Sequence, residues 1–146
     1  MRRSLDILLV EDNPGDVRLT MEALKESDFP TTVHVAQDGV EALDYLGTHP
    51  IPDLILLDLN LPKRSGREVL AAIKADPALR RIPVLILSTS RSDADVQYSY
   101  EHHANCYIQK PMELEHFFDV VRTIERFWCS VVTLPEDSSQ SATRPN

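Results

Sequence analysis

The run Leu54-Ile55-Leu56-Leu57 stands between Asp53 and Asp58 and is followed by a loop containing Pro62 and Gly66. Four unbroken apolar residues with no alternation fit a strand covered on both faces, as in a parallel sheet layered with helices. Asp58 then sits at the carboxyl end of that strand, where open α/β sheets gather their ligands in the crevice beyond the strand ends. An isolated Asp-Leu-Asn reads more simply as a turn opener. Residues elsewhere in the chain decide between the two readings.

Comparable segments recur along the sequence. Leu5 to Val10 is apolar apart from Asp6 and closes on Glu11-Asp12, after which Asn13-Pro14-Gly15-Asp16 turns the chain into a helix, Pro14 suiting its first turn. Val17, Met21 and Leu24 give that helix a narrow apolar stripe through to about Ser27. Thr31 to Ala36 is β-branched and reads as a strand; Asp38-Gly39 breaks it, and Val40, Leu43 and Leu46 recur at helical spacing before Gly47. Beyond the central strand, Val69, Leu70 and Ile73 mark a helix that Asp76-Pro77 stops. Val84 to Leu87 is another buried strand and ends in hydroxyls, Ser88, Thr89 and Ser90. Asp93 to His103 has only a weak apolar stripe (Ala94, Val96, Tyr98, Tyr100), which predicts the loosest helix. Ala104 to Gln109 is the fifth strand, closed by Lys110-Pro111.

The last helix, Glu113 to about Val132, differs from the others. Its rows Leu114-Phe118-Val121-Trp128-Val132 and Phe117-Val120-Ile124-Phe127-Val131 form an apolar arc wider than the roughly 100° needed to cover a sheet. The excess predicts a homodimer through Phe117, Val120, Ile124, Phe127, Val131 and the nearby Leu134. The alternative is one wide helix sunk into a monomer core. Residues 133–146 are rich in Ser, Pro, Glu, Asp and Thr and form a mostly disordered tail whose first residues are candidates for that interface.

Five strands alternating with five helices imply an α/β fold. Right-handed crossovers favour a doubly wound, five-stranded parallel sheet with strand order 2-1-3-4-5. One domain, residues 4–132, accounts for the ordered part of the 146-residue chain. A net charge of -8 and a pI near 5.0 leave no basic face for direct nucleic-acid binding. Cys106 and Cys129 are too few for a disulfide framework or zinc site and read as reduced thiols, Cys106 in the core. The basic start Met1-Arg2-Arg3 lacks a signal-peptide core behind it, and no run is long enough to span a membrane, so a cytoplasmic protein is expected. His34, His49, His102, His103 and His116 show no chelating spacing and read as surface residues.

In a doubly wound sheet the strands end on one edge, which brings together Glu11 and Asp12, Asp58, Ser88 and Lys110. Strands one and three are neighbours at the switch point, so three carboxylates crowd one pocket. Like charges that close raise one another's pKa unless a cation is bound. An open all-oxygen site of this kind suits Mg²⁺, which keeps several waters and favours a phosphate oxygen as a further ligand. A hydroxyl and an ammonium opposite the metal complete a cradle for a tetrahedral anion. The implied chemistry is phosphoryl transfer to a carboxylate, with Asp58 as nucleophile and Lys110 neutralising charge. A cis Lys110-Pro111 bond would turn the chain sharply and point the lysine into the pocket.

These residues resemble the receiver domains of two-component response regulators, which have a flavodoxin-like fold. The resemblance covers about residues 4 to 132. It implies that Asp58 is the phospho-acceptor, that Glu11 and Asp12 hold Mg²⁺ with Asp58 and the backbone carbonyl of Asn60, and that Ser88 is the switch hydroxyl. Tyr107 matches the aromatic that changes rotamer with it, and Lys110 the family's lysine. Ser stands at the switch where Thr is commoner, and Thr89 where many receivers have Ala or Gly, which narrows access. Ser90 and Asn60 flank the pocket at positions that tune autodephosphorylation. The segments Glu11 to Asp16, Asn60-Leu61-Pro62-Lys63, Ser88 to Ser92 and Ile124-Glu125-Arg126-Phe127-Trp128 are similar to small stand-alone regulators of bacterial and cyanobacterial phytochrome histidine kinases. No output domain is expected after Pro135. The message then leaves through a surface made by the fourth helix, fifth strand and fifth helix.

Three other readings weigh against this one. A Mg²⁺-dependent phosphohydrolase of the haloacid dehalogenase type needs a second Asp two residues after the nucleophile, where this chain has Asn60. A flavin-binding flavodoxin needs a phosphate loop after strand one, and Glu11-Asp12 would repel that phosphate. A phosphorylation-independent receiver scaffold would not require every pocket residue.

Overall fold

A computed structural model describes residues 4–26 and 30–134, without the side chains of Ser130 and Val131. The elements are β1 (Leu5–Val10), α1 (Pro14–Lys25), β2 (Thr31–Ala36), α2 (Gly39–Thr48), β3 (Leu54–Leu57), α3 (Gly66–Ala75), β4 (Val84–Ser88), α4 (Asp93–Glu101), β5 (Cys106–Gln109) and α5 (Leu114–Arg126). The five strands form one parallel sheet in the order β2-β1-β3-β4-β5. The expected doubly wound flavodoxin-like architecture is thus the one adopted.

Local chemistry sets the element boundaries. Asn13 caps α1, its side chain accepting from the Asp16 amide, and Pro14 opens the helix, where a missing N–H costs nothing. Ser65 and Glu68 form a reciprocal capping box on α3, and Asp38 and Ser92 cap α2 and α4. α1 ends at Lys25, short of the expected Ser27, which lies outside the described residues. α5 also stops early as an α-helix. From Phe127 to Val131 it continues as a wider π-helical turn, closed where the Val132 amide donates to the Phe127 carbonyl.

The sheet is buried between two apolar layers. On one face Leu8, Val10, Ile55, Leu57, Val84 and Ile86 pack with Ala42 and Leu46 of α2 and Val69, Leu70 and Ile73 of α3. On the other, Leu5, Ile7, Leu9, Leu54, Leu56, Leu85 and Leu87 meet Ala23 and Leu24 of α1 and Phe117, Val121 and Ile124 of α5. Every residue of β3 is buried, which explains why its sequence is continuously apolar. Burying each such leucine contributes roughly 1.5–3 kcal/mol.

α4 is the exception. Ser99 is its one buried residue, and its ties to the body are polar: the Arg67 guanidinium lies 4.4 Å from the Tyr98 ring centre and 3.1 Å from the Asp95 carboxylate. The Tyr98 hydroxyl donates in turn to the Arg67 carbonyl at 3.2 Å. Few buried apolar contacts make this the element whose displacement costs least. His102, expected at the surface, is half-buried because its ring stacks on Tyr98 at 3.9 Å.

α5 corrects the expected dimer face. Phe117 and Ile124 are 4% and 6% exposed and belong to the chain's own core, because α5 packs on the sheet beside α1 through them and Val121. They present nothing to a partner. Val120 and Leu134 are half-buried at the margin of the same layer, whereas Leu114 is 64% and Phe127 50% exposed. The Val131 side chain and the tail from residue 135 onward lie outside the described residues. Cys106 and Cys129 form no disulfide; both are half-buried at the edge of this layer, and burial pushes the Cys106 thiol pKa up. Among the described residues no helix is long and apolar enough to cross a membrane.

Candidate functional site

The register of the sheet brings the expected residues to one edge. Val10 pairs with Leu57, so Glu11 and Asp58 leave neighbouring strands together, locked by the Asp58 amide donating to the Val10 carbonyl at 3.0 Å. Ser88 ends β4 and Lys110 follows β5, the Lys110 amide donating to the Ser88 carbonyl at 2.7 Å. No cis peptide bond occurs among the described residues, Lys110-Pro111 included. A lysine stem rising from the end of β5 reaches the pocket without one.

Asp58, Glu11, Ser88 and Lys110 are all buried, and Asp12 is exposed at the rim. Carboxylate oxygens of Glu11, Asp12 and Asp58 all lie within 4.8 Å of one another. The backbone shapes the Asp58 side: the Asn60 amide donates to Asp58 Oδ1 at 3.1 Å, and α3 begins against it. A Cβ on Gly66 would fall 2.2 Å from the Asp58 carbonyl oxygen, so only glycine lets the helix start there. Lys63, between Pro62 and Arg64, takes a left-handed conformation with φ 65° to close this loop.

Lys110 donates to three carboxylates. Its Nζ contacts Glu11 Oε1 most closely, then Asp16 Oδ2 at 2.9 Å and Asp58 Oδ2 at 3.4 Å. Burial alone would lower the lysine pKa, but Glu11, Asp58 and Asp16 together hold it above its ordinary value. Glu11 moves the other way from most paired acids. Burial is the largest cause and proximity to Asp58 adds to it, so that despite Lys110 its pKa is raised to about 7. Excess negative charge in a buried all-oxygen cluster, open to water at Asp12, is the setting that a hard divalent cation fits.

Asp16 is the residue that sequence reasoning missed. It read as part of a helix start, and its local pattern carries nothing more. The signal lay in its position: the first turn of α1 follows β1 directly and stands over the same strand-end edge.

On the β4 side, the Ser88 hydroxyl accepts from the Ser90 amide at 3.2 Å, and the Tyr107 hydroxyl donates to the Ser90 carbonyl at 2.9 Å. Ser90 Oγ donates to Asp95 on α4 at 2.6 Å. The Ser88 hydroxyl and the half-buried ring of Tyr107 are therefore joined through one loop residue. Thr89 points to solvent.

A family model for the response regulator receiver domain matches residues 7–122. The chain belongs to the response regulator receiver family. Response regulator Rcp1 of Synechocystis sp. is 50% identical over 135 residues, covering 88% of this receiver and 92% of its relative. The crystal structure of the phosphorylated cyanobacterial phytochrome response regulator RcpA superposes with a TM-score of 0.88 at 52% identity, covering 91% of this chain and 99% of that one. The Mn²⁺-bound form of Rcp1 gives 0.87 at 48% identity, with 90% and 99% covered. This receiver therefore spans nearly the whole length of these relatives, two of which were solved in a phosphorylated and a divalent-metal state.

Proposed function

We propose that this receiver is a stand-alone response regulator that takes a phosphoryl group from a phosphohistidine of a sensor histidine kinase of the phytochrome type. Asp58 accepts the group, and the protein signals by a change in its α4-β5-α5 surface. The observation that carries this reading is the setting of Asp58: it shares an acid cluster with Glu11 and Asp12, a lysine ammonium lies 3.4 Å away and also contacts Glu11, and β4 ends at the same edge in the buried Ser88. The phosphorylated and Mn²⁺-bound relatives support it.

Glu11, Asp12 and Asp58, with the backbone carbonyl of Asn60, would hold Mg²⁺. When bound, the cation offsets the charge of the transferred group and of the acid cluster. An Asp58 carboxylate oxygen forms the new O–P bond as the donor's P–N bond breaks, leaving the kinase imidazole to take a proton. Lys110 opposes the negative charge that gathers on the phosphoryl oxygens. The modification adds about one to one and a half units of negative charge beyond the carboxylate. Ser88 then leaves the Ser90 amide for the phosphoryl group, and Tyr107 follows through the Ser90 carbonyl. α4 shifts population because few buried apolar contacts hold it. Residues 4–132 form the signalling unit and residues 133–146 a tail. The protein turns over no substrate beyond its own aspartyl phosphate, works in the cytoplasm and binds no nucleic acid directly.

The same face carries a homodimer. Leu114 and Phe127 are large exposed apolar side chains on and just beyond α5, and Leu114 and Phe118 line a shallow depression with Glu115 and Asp119. A second copy covers this strip, bordered by Val120 and Leu134. The phosphotransfer reading is tested by mixing the protein with a phytochrome-type kinase radiolabelled on its histidine. Label appearing on the parent chain and not on Asp58→Asn supports the proposal; label that stays on the kinase while it discharges to another receiver overturns the phytochrome assignment.

A further inference from the structure

We propose that Asp16 is a positioning residue for phosphoryl transfer, its carboxylate anchoring the Lys110 ammonium beside Asp58. The inference rests on the reading of Asp58 as the acceptor. An ammonium has three N–H donors, and here each has an acceptor: Glu11, Asp16 and Asp58. Two of these acceptors belong to the acid cluster, so a cation there draws on the same carboxylates and repels the lysine. Asp16 stands outside the cluster. Its hold on Lys110 does not depend on whether the cation is bound.

The contact is built rather than incidental. The Asp16 amide donates to the Asn13 side chain at 3.1 Å, and the Thr20 hydroxyl donates to the Asp16 carbonyl at 2.8 Å, which fixes the residue in the first turn of α1. The Asp16 side chain is 27% exposed and the Lys110 side chain 4%, so the pair is shielded on the lysine side. An acid near a helix start also gains from the helix dipole. That role would be met by a carboxylate pointing to solvent and gives no reason to aim it at a buried lysine from the end of β5. When the O–P bond forms on Asp58, Lys110 must already stand on the phosphoryl side. Without Asp16 its ammonium keeps only the Glu11 and Asp58 carboxylates, both of which a bound cation draws on.

Asp16→Asn keeps the shape and the amide's bond to Asn13 while removing the charge. The test measures adduct formation from acetyl phosphate at saturating Mg²⁺ by intact mass, with Mg²⁺ affinity followed by calorimetry, in the parent, Asp16→Asn, Lys110→Gln and the double variant. In this reaction the P–O bond to acetate breaks as the Asp58 O–P bond forms. Asp16→Asn is expected to slow modification roughly tenfold, the loss of one charge-assisted hydrogen bond at the reacting centre. Its Mg²⁺ affinity stays close to the parent's, and it adds no further slowing to Lys110→Gln. A parent that is modified while Asp16→Asn reacts equally fast overturns the inference alone, as does equal slowing with and without Lys110. A parent that takes no phosphoryl group overturns the acceptor reading and this inference with it.

Discussion

The hydroxyl of Tyr107 donates to the backbone carbonyl of Ser90 at 2.9 Å, and the Ser90 amide donates in turn to the Ser88 hydroxyl. This short chain joins the acid pocket to the α4-β5 surface. Tyr107→Phe keeps the ring and its packing against the core layer between the sheet and helices α2 and α3 but removes the link. The expected cost is about 1 kcal/mol in a urea titration. Modification of Asp58 should continue, while phosphorylation-dependent changes in α4, followed by amide resonances, should shrink. Changes in α4 as large as the parent's would show that the link is not used.

Gly66→Ala tests how tightly the pocket is framed. The added Cβ meets backbone at 2.2 Å and 2.4 Å, the Asp58 carbonyl oxygen and the Leu59 Cα, and neither can rotate away. Overpacking of this kind costs typically about 1–3 kcal/mol, and here it also displaces Asp58. Chemical denaturation should show the loss, and acetyl phosphate should modify the variant more slowly at temperatures where it remains folded.

Glu11 sets a pH dependence with an unusual sign. Its folded pKa is raised from 4.5 to about 7, so the folded state holds this proton more firmly than the unfolded chain does. Its contribution to stability is fully present below 4.5 and is lost as pH rises through about 7 in the absence of metal. Cation binding must expel the same proton. Below the folded pKa, Mg²⁺ affinity should therefore rise up to about tenfold per pH unit and level off above it. Calorimetric titrations across this range should show the slope in the parent and its absence in Glu11→Gln.

The dimer proposal divides α5 by exposure. Leu114→Asp and Phe127→Asp alter side chains that are 64% and 50% exposed, so each should leave the fold intact and shift the assembly toward monomer in sedimentation experiments. Phe117→Ala removes a buried ring and should cost about 3–5 kcal/mol of stability. A parent that sediments as a monomer at tens of micromolar, with and without phosphorylation, contradicts the dimer.

The sequence made the sheet easy to read because parallel strands covered on both faces have no polar alternation, and the runs at Leu5, Leu54 and Val84 have little else they can be. Strand ends then had to converge, which is why Glu11, Asp12, Asp58, Ser88 and Lys110 were legible without a structure. Asp16 was not, because its partner lies 94 residues away and its local chemistry is fully explained by a helix start. The facing of α5 was not legible for a different reason. An arc wide enough for two faces does not say which part of it the sheet takes, and packing beside α1 decided for Phe117, Val121 and Ile124, drawn from both rows. The polar ties of Arg67 to Tyr98 and Asp95 were equally silent, since they join residues on separate helices by side-chain geometry alone.

The most direct test of the account is intact mass after incubation with Mg²⁺ and acetyl phosphate, with Asp58→Asn and an EDTA-treated sample beside it. The account predicts one phosphoryl adduct on the parent, absent from Asp58→Asn and absent without the divalent cation. An adduct that persists in Asp58→Asn, or that forms equally well in EDTA, would contradict it.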